Sequence, residues 1–306
     1  MKVLIIGLGS IAQKHIDAIR TIEKNAIIYA LRSSYKASTI KNIINIFDLV
    51  DVPIDIDFIL ISNPTSLHAE IILNVINFQK PIFIEKPVFD SIINKDNIIK
   101  LIENKNIKTY VGCNLRFHPS LIFIKNYLNQ KKDKINEVSI YCGSYLPDWR
   151  PFQDYTNSYS ANKQLGGGVH LDLIHELDYA IWLFGKPINH NSVKRKVSNL
   201  VIDTFDYTNY NLTYYDFNLS IILNYYRLKP KRSIEIILEN EILTCDILTS
   251  IIHNSDNKII FKDKNFNINL TYLNQMKYFI DNLNNSNNYM NNINESFEIL
   301  KIALND

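Results

Sequence analysis

Residues 165–185 read LGGGVHLDLIHELDYAIWLFG, so three glycines run straight into a segment bearing Asp172, His175, Glu176 and Asp178. Apolar Leu171, Ile174, Leu177, Ile181 and Phe184 recur at steps of three and four, the spacing of one buried helical face. Asp172 and His175 are three apart, which places them side by side on such a helix. An imidazole titrates near neutral pH and can exchange a proton, while a carboxylate beside it orients the ring and favours its charged form. Two readings are open. The pair is a proton-exchanging site, or Asp172 caps a helix start and His175 is a satisfied core histidine. His170, two residues before Asp172, is a rival for the proton. A second reactive group, Lys86, follows the apolar run 81–85 and precedes Pro87. At the carboxyl end of a parallel strand a lysine points into the cleft; taken in isolation, a solvated lysine at an ordinary strand end is the favoured reading.

These groups need elements to hold them. The first 115 residues alternate strand and helix patterns: strands at 2–7, 26–31, 57–62, 81–85 and 108–113, helices at 11–22, 66–78 and 94–103. Continuous apolar strands between helices imply a parallel, doubly wound sheet of the Rossmann type, with ligands collecting at the carboxyl ends of its strands. The turn Gly7-Leu8-Gly9-Ser10-Ile11-Ala12 joins the first strand to the first helix. Gly7 and Gly9 allow the tight turn and close approach to a pyrophosphate, and Ser10 and Ile11 open a helix whose free amides favour the anion. Ala12 is the small residue where helix and strand pack. This context makes a dinucleotide the expected cofactor.

The second strand ends Leu31-Arg32-Ser33-Ser34, where an acid would bind the ribose 2′-hydroxyl of NAD. Arg32 can pair with a 2′-phosphate and the serines add donors, so NADP is expected over NAD, which stays the alternative. Asn63 and Pro64, at the end of the third strand, are expected against the cofactor, with His68 and Glu85 on the same side.

Beyond residue 116 the character changes. A helix at 120–129 and a strand at 137–145 lead through the polar aromatic stretch 146–163 to the helix of the acid–base pair. From residue 192 the pattern is two-sided strands with short turns, among them 218–226 and 233–238 joined through 239–241 to 242–248, which reads as a mostly antiparallel open sheet. A helix closes the chain at 295–304. The expected architecture is α/β followed by α+β: a dinucleotide-binding domain over 1–116 and a substrate-binding and oligomerisation domain over 117–306. An open sheet needs a cover for its second face, so a homodimer or homotetramer through that sheet is expected.

Composition excludes several other classes. The chain has 306 residues with a formal net charge of +2, and no basic run, which argues against nucleic acid. No apolar stretch is long enough for a membrane span. Cys113, Cys142 and Cys245 are scattered and lack metal-ligand spacing, as in a reducing cytoplasm, and no metal site is expected. The asparagine-rich piece 284–292 reads as a surface loop.

Taken in order, GLGSIAQKH (7–15), NPTSLHAE (63–70), EKP (85–87), NLRFHPS (114–120) and the GGG…D…HELD…LFG segment resemble the Gfo/Idh/MocA oxidoreductases. The likeness covers the first 185 residues; the last third matches in strand character alone. It implies a catalytic trio of Lys86, Asp172 and His175, with His175 exchanging the proton, Lys86 stabilising the alkoxide and Asp172 orienting them. The three-residue step from Asp172 to His175 departs from the four-residue step common in the family, though both keep one helical face. The aromatic loop around Trp149, Arg150 and Tyr159 offers ring faces and hydrogen-bonding groups suited to a polyol or sugar. It resembles a branch of the family in surface-glycan and nonulosonic acid biosynthesis. Arg116 either binds a substrate acid or ties the domains together. The implied activity is hydride transfer between NADP(H) or NAD(H) and a secondary alcohol or ketone of a sugar. The alternatives are a dinucleotide-binding sensor without turnover and an NAD-dependent glycosidase of the same fold.

Overall fold

The computed structural model describes residues 1–36, 40–285 and 289–304, and the chain forms two compact units. The first comprises Met1–Asn114 and Asn269–Leu300. In chain order it opens with β1 (Lys2–Ile6), α1 (Ser10–Ile22), β2 (Ile27–Leu31), β3 (Ile44–Ile46) and β4 (Phe58–Ile61). There follow α2 (His68–Val75), β5 (Ile82–Glu85), α3 (Asp96–Asn104) and β6 (Thr109–Gly112). All six strands are parallel in the order β3-β2-β1-β4-β5-β6. The order reverses beside β1, which opens a ligand crevice beyond the carboxyl ends of β1 and β4. Every residue of β4, β5 and β6 is buried, as expected of strands covered on both faces.

The second unit begins at Leu115 and contains α4 (Pro119–Lys131), β7 (Ile135–Tyr145), the short α5 (Val169–Asp172) and α6 (His175–Phe184). Seven strands complete its sheet: β8 (Asn189–Arg195), β9 (Tyr207–Thr213), β10 (Asn218–Asn224), β11 (Tyr226–Leu238), β12 (Ile242–Asp246), β13 (Ile251–His253) and β14 (Ile259–Lys262). The order is β14-β13-β12-β11-β7-β10-β9-β8; β7 and β10 run parallel and every other pair is antiparallel. Val138, Ile140, Ile221, Ile234 and Ile236 are buried on one face, while Glu137 and Glu235 alternate with them into solvent. This is the mostly antiparallel open sheet read from the sequence.

The helix expected across residues 165–185 is two helices. The chain leaves α5 at Asp172, turns through Leu173 (ψ 28°), and re-enters a helix at His175. Asp172 therefore ends one helical turn and His175 opens the next helix, instead of sharing a continuous face.

The end of the chain returns to the first unit through α7 (Ile268–Asp281) and most of α8 (Ile293–Leu304). Strand-rich sequence before residue 268 places 269–300 with the second region, but their apolar side chains belong to the first core. Phe279 meets Phe58 and Phe83 edge-on at 5.0 and 5.4 Å. The asparagine-rich piece is a loop exposed at Asn284 and Asn285, but its far end is buried. Residues 286–288 lie outside the described residues, yet Tyr289 is buried against Phe279, and Asn291 is fully buried. The Asn291 amide donates to Val111 O at 2.7 Å, and its own carbonyl accepts from Val111 N at 2.8 Å.

Candidate active site

In the first unit, the Gly7 backbone has φ +95°, which favours glycine. A Cβ there would come within 2.4 Å of the Asn63 nitrogen, so the turn packs against the loop after β4. At Gly9 the opposite holds: among the described residues nothing lies within 4 Å of where a Cβ would stand. Gly9 is the N-cap of α1, whose first turn has neither a side-chain cap nor an acid among the described residues. An uncapped helix start facing open space leaves several N–H donors and the positive end of the helix dipole available to an anion. Ser10 and Ile11 begin that turn, and Ala12 is buried where the helix meets the sheet.

A cavity of about 610 Å³ adjoins this turn, lined by Gly7, Arg32, Ser33, Asn63 and Pro64 together with apolar Leu49 and Leu67. Arg32 donates to Asn45 Oδ1 at 3.2 Å, which fixes the guanidinium at the cavity wall. Ser33 and Ser34 are exposed beside it, and the Ser34 hydroxyl accepts from Lys36 N. Both polar atoms of the Asn63 amide are screened from solvent and find no partner among the described residues. An orphaned amide in a cavity wall is costly unless a ligand completes it. These features fit a dinucleotide.

Lys86 follows β5, half-buried, and its peptide to Pro87 is cis. Behind it the buried Glu85 carboxylate accepts from the His15 ring, with Nε2 2.5 Å from Oε1, and from the Lys86 backbone nitrogen at 3.2 Å. His68 is buried with one ring nitrogen 3.0 Å from Asn63 O and the other 3.1 Å from Val88 O. It therefore ties the loop after β4 to the segment after β5, shaping the cofactor side through the backbone. Burial pushes its pKa down.

In the second unit, Tyr225 donates its hydroxyl to Asp172 Oδ2 at 2.6 Å. Burial foremost, and then the carboxylate itself, holds that phenol well above its usual range, so it remains the donor. Trp149 packs edge-on against Tyr225 at 5.4 Å and donates its indole N–H to Ser144 Oγ at 2.8 Å. The aromatic loop thus reaches Asp172 through Tyr225, a residue that sequence reading missed because 53 residues separate the pair. Arg150 is exposed, and half-buried Tyr159 donates to Gly166 O at 2.7 Å.

The glycine turn serves the chain itself. A Cβ on Gly167 would stand 2.2 Å from the Tyr159 carbonyl oxygen, and Gly168 has φ +119°. Half-buried His175 opens α6. His170, in contrast, is buried with Nδ1 unpartnered among the described residues, and burial pushes its pKa down to about 3. A ring held neutral so far below neutrality is poorly matched to proton exchange. Arg116 is 2% exposed and grips Asp178 with two nitrogens at 2.9 and 2.7 Å. The structure thus places that guanidinium in an internal pair, with Asp178 as its counter-charge. Glu176 is similarly paired with Arg232 at 2.6 Å.

Among the described residues, no group of three or more His, Cys, Asp or Glu is placed to hold a metal ion, and no helix is long and apolar enough to cross a membrane.

A parallel sheet with a dinucleotide cradle, joined to a large open sheet, defines a class of two-unit nicotinamide oxidoreductases. Residues 1–113 match the family described as "Oxidoreductase family, NAD-binding Rossmann fold", and residues 131–218 match its C-terminal alpha/beta domain. The chain belongs to the Gfo/Idh/MocA oxidoreductase family. Myo-inositol 2-dehydrogenase of Thermotoga maritima is 25% identical over 199 residues, which is 61% of this chain and 56% of that protein. The chain thus matches only about half the length of that relative. Among solved structures, UDP-N-acetylglucosamine 3-dehydrogenase from Acidithiobacillus ferrooxidans superposes with a TM-score of 0.78 at 16% identity, covering 100% of this chain and 96% of that one. The WlbA dehydrogenase from Bordetella pertussis, solved with NADH and UDP-GlcNAcA, gives 0.79 at 16% identity over 99% and 94%. At such identities these structures speak for the fold.

Proposed function

We propose that this chain is an NAD(P)-dependent oxidoreductase that transfers a hydride between its dinucleotide and a secondary alcohol or ketone of a sugar or sugar derivative. The observation that carries the reading is the open helix start at Gly9 following the Gly7 turn that packs on Asn63, whose amide is orphaned in the wall of the adjoining cavity, features that suit a dinucleotide. Gly7, Gly9 and the first turn of α1 hold the diphosphate, Asn63 and Pro64 line its path, and the nicotinamide supplies the hydride chemistry when bound. Lys86 stabilises the negative charge on the substrate oxygen. His175 exchanges the hydroxyl proton, and Asp172, held by Tyr225, orients the reacting groups. Trp149, Arg150 and Tyr159 belong to the sugar-binding side. A relative named myo-inositol dehydrogenase supports the polyol class, and the nucleotide-sugar dehydrogenase among the structural neighbours is compatible with a place in surface-glycan biosynthesis.

Arg32, Ser33 and Ser34 favour NADP over NAD, because a guanidinium and hydroxyls suit a 2′-phosphate. The buried cysteines Cys113, Cys142 and Cys245, none of them in a disulfide among the described residues, suit the cytoplasm, and the open face of the second unit's sheet suits a homodimer or homotetramer. The decisive experiment follows nicotinamide absorbance with both dinucleotides across inositols, keto-sugars and nucleotide sugars. Turnover with one of these supports the reading, and dinucleotide binding without turnover on any of them overturns it. Tighter binding of NAD than NADP overturns the cofactor preference alone.

A further inference from the structure

Glu85 has two partners, one far away in the sequence and one beside it. On one side is His15 of α1, fully buried, its Nε2 2.5 Å from Glu85 Oε1. On the other is the backbone nitrogen of Lys86, 3.2 Å from Glu85 Oε2. A carboxylate accepts from both with one oxygen each, so the two contacts depend on a single rigid group.

The surroundings are built to keep that group in place. His15 is wedged edge-on against Phe83 at 4.9 Å and Tyr272 at 6.1 Å, which fixes the plane of its ring. Its Nδ1 has no partner among the described residues, so the ring is held through Nε2 and packing alone. The neighbouring strand makes room: a Cβ on Gly112 would press to 3.1 Å on both Glu85 Oε1 and the Phe83 ring. A buried acid with a dedicated partner and a dedicated space is expensive to maintain without a use. His15 also lies about one and a half turns along α1 from the cradle at its start. The same helix that receives the diphosphate therefore carries the residue that fixes Glu85.

We propose that His15 and Glu85 form a positioning couple for Lys86: the carboxylate, fixed by the imidazole of the phosphate-binding helix, holds the Lys86 backbone amide and so sets where the lysine stands. The proposal rests on the reading of Lys86 as the charge-stabilising group. It assigns His15 and Glu85 no contact with substrate.

The test compares His15→Leu, His15→Gln, Glu85→Gln and Lys86→Ala in the whole protein. It reads hydrogen exchange of the Lys86 amide by NMR in lysine-labelled protein, dinucleotide affinity by calorimetry, and kcat and KM with a sugar substrate. Removing the ring in His15→Leu is expected to speed exchange of the Lys86 amide about tenfold and to lower kcat about a hundredfold. KM and dinucleotide affinity stay within about threefold. His15→Gln restores a donor nitrogen and is expected to recover kcat to within about fivefold of the natural protein. Glu85→Gln can serve only one of the two donors and is expected to lower kcat about tenfold or more, which answers the question alone if the leucine variant does not fold. Combining His15→Leu with Glu85→Gln is expected to be no worse than the more damaged single variant. Unchanged Lys86 exchange in folded His15→Leu, equal damage from leucine and glutamine, or additive losses would each overturn the couple. Full activity in Lys86→Ala would instead overturn the role of the lysine, so the two failures are told apart.

Discussion

At the scale of single residues, charge burial decides what each group is able to do. Asp172 receives the Tyr225 hydroxyl at 2.6 Å, and that donor is locked between strands and Trp149. Replacing Tyr225 by Phe removes one bond to the carboxylate while keeping the ring, and kcat is expected to fall about tenfold with little change in thermal midpoint. Steady-state kinetics beside a melting curve checks this; an unchanged kcat removes Tyr225 from the proposed machinery. Arg116 behaves differently because its partner is interior. Arg116→Met takes from the buried Asp178 the guanidinium that grips it, and unfolding in urea is expected to show a loss of about 3–5 kcal/mol. The sequence shows that residues such as Lys86, Asp172 and His175 are chemically capable, but not which charges are already committed. Arg116 looks as available as Arg150 in one dimension; only the fold brings Asp178, 62 residues away, onto its guanidinium.

At the scale of elements, glycines divide the cradle from the scaffold. Gly9→Ala places a methyl in open space at an ordinary φ of −83°, so the fold is expected to keep its stability while dinucleotide affinity falls about tenfold. Gly167→Ala drives a methyl to 2.2 Å from a backbone carbonyl that cannot move aside, and is expected to cost about 2 kcal/mol or more in stability. Calorimetry of the two variants separates them: equal melting points would contradict both assignments. The alternating elements of residues 1–115 were legible because buried parallel strands are continuous apolar runs, and β1, β4, β5 and β6 fall within a residue or two of their expected bounds. The three-residue β3 was too short to leave a pattern. The break between α5 and α6 was hidden because apolar spacing of three and four continues across it, and periodicity does not register one turn of altered ψ.

At the scale of the molecule, buried neutral histidines set the acid limit. His118 caps α4 in the second unit, accepting from Ser120 N and donating to Ile247 O, and faces Arg232, Asp263 and the Phe266 ring. Burial pushes its pKa down to about 4, and that of His170 to about 3. The unfolded chain takes up these protons at about pH 6.5, so their contribution is complete above that value and drains away as pH falls toward 4 and 3. Several kcal/mol of unfolding free energy are expected to be lost between about pH 6.5 and 4, measured by urea titration; a flat profile across that range would contradict the burial of both rings. The grouping of residues 269–300 with the first unit makes a second whole-chain prediction. A fragment of residues 1–114 exposes the faces of Phe58 and Phe83 and is expected to remain unfolded by circular dichroism and proteolysis. The same fragment joined to 269–300 is expected to fold.

The two-way bond between Asn291 and Val111 has a consequence in time. β6 is the outer strand of its sheet, and its hydrogen-bonding edge is met at Val111 by a residue made 180 positions later. During synthesis residues 1–114 therefore leave the ribosome before the segment that completes their core and meets their outer strand, and they wait for it while residues 115–268 are translated. Apolar strand segments that wait unpaired for that interval invite association, so recovery of folded chain is expected to depend on the length of the wait as well as on the stability of the finished fold.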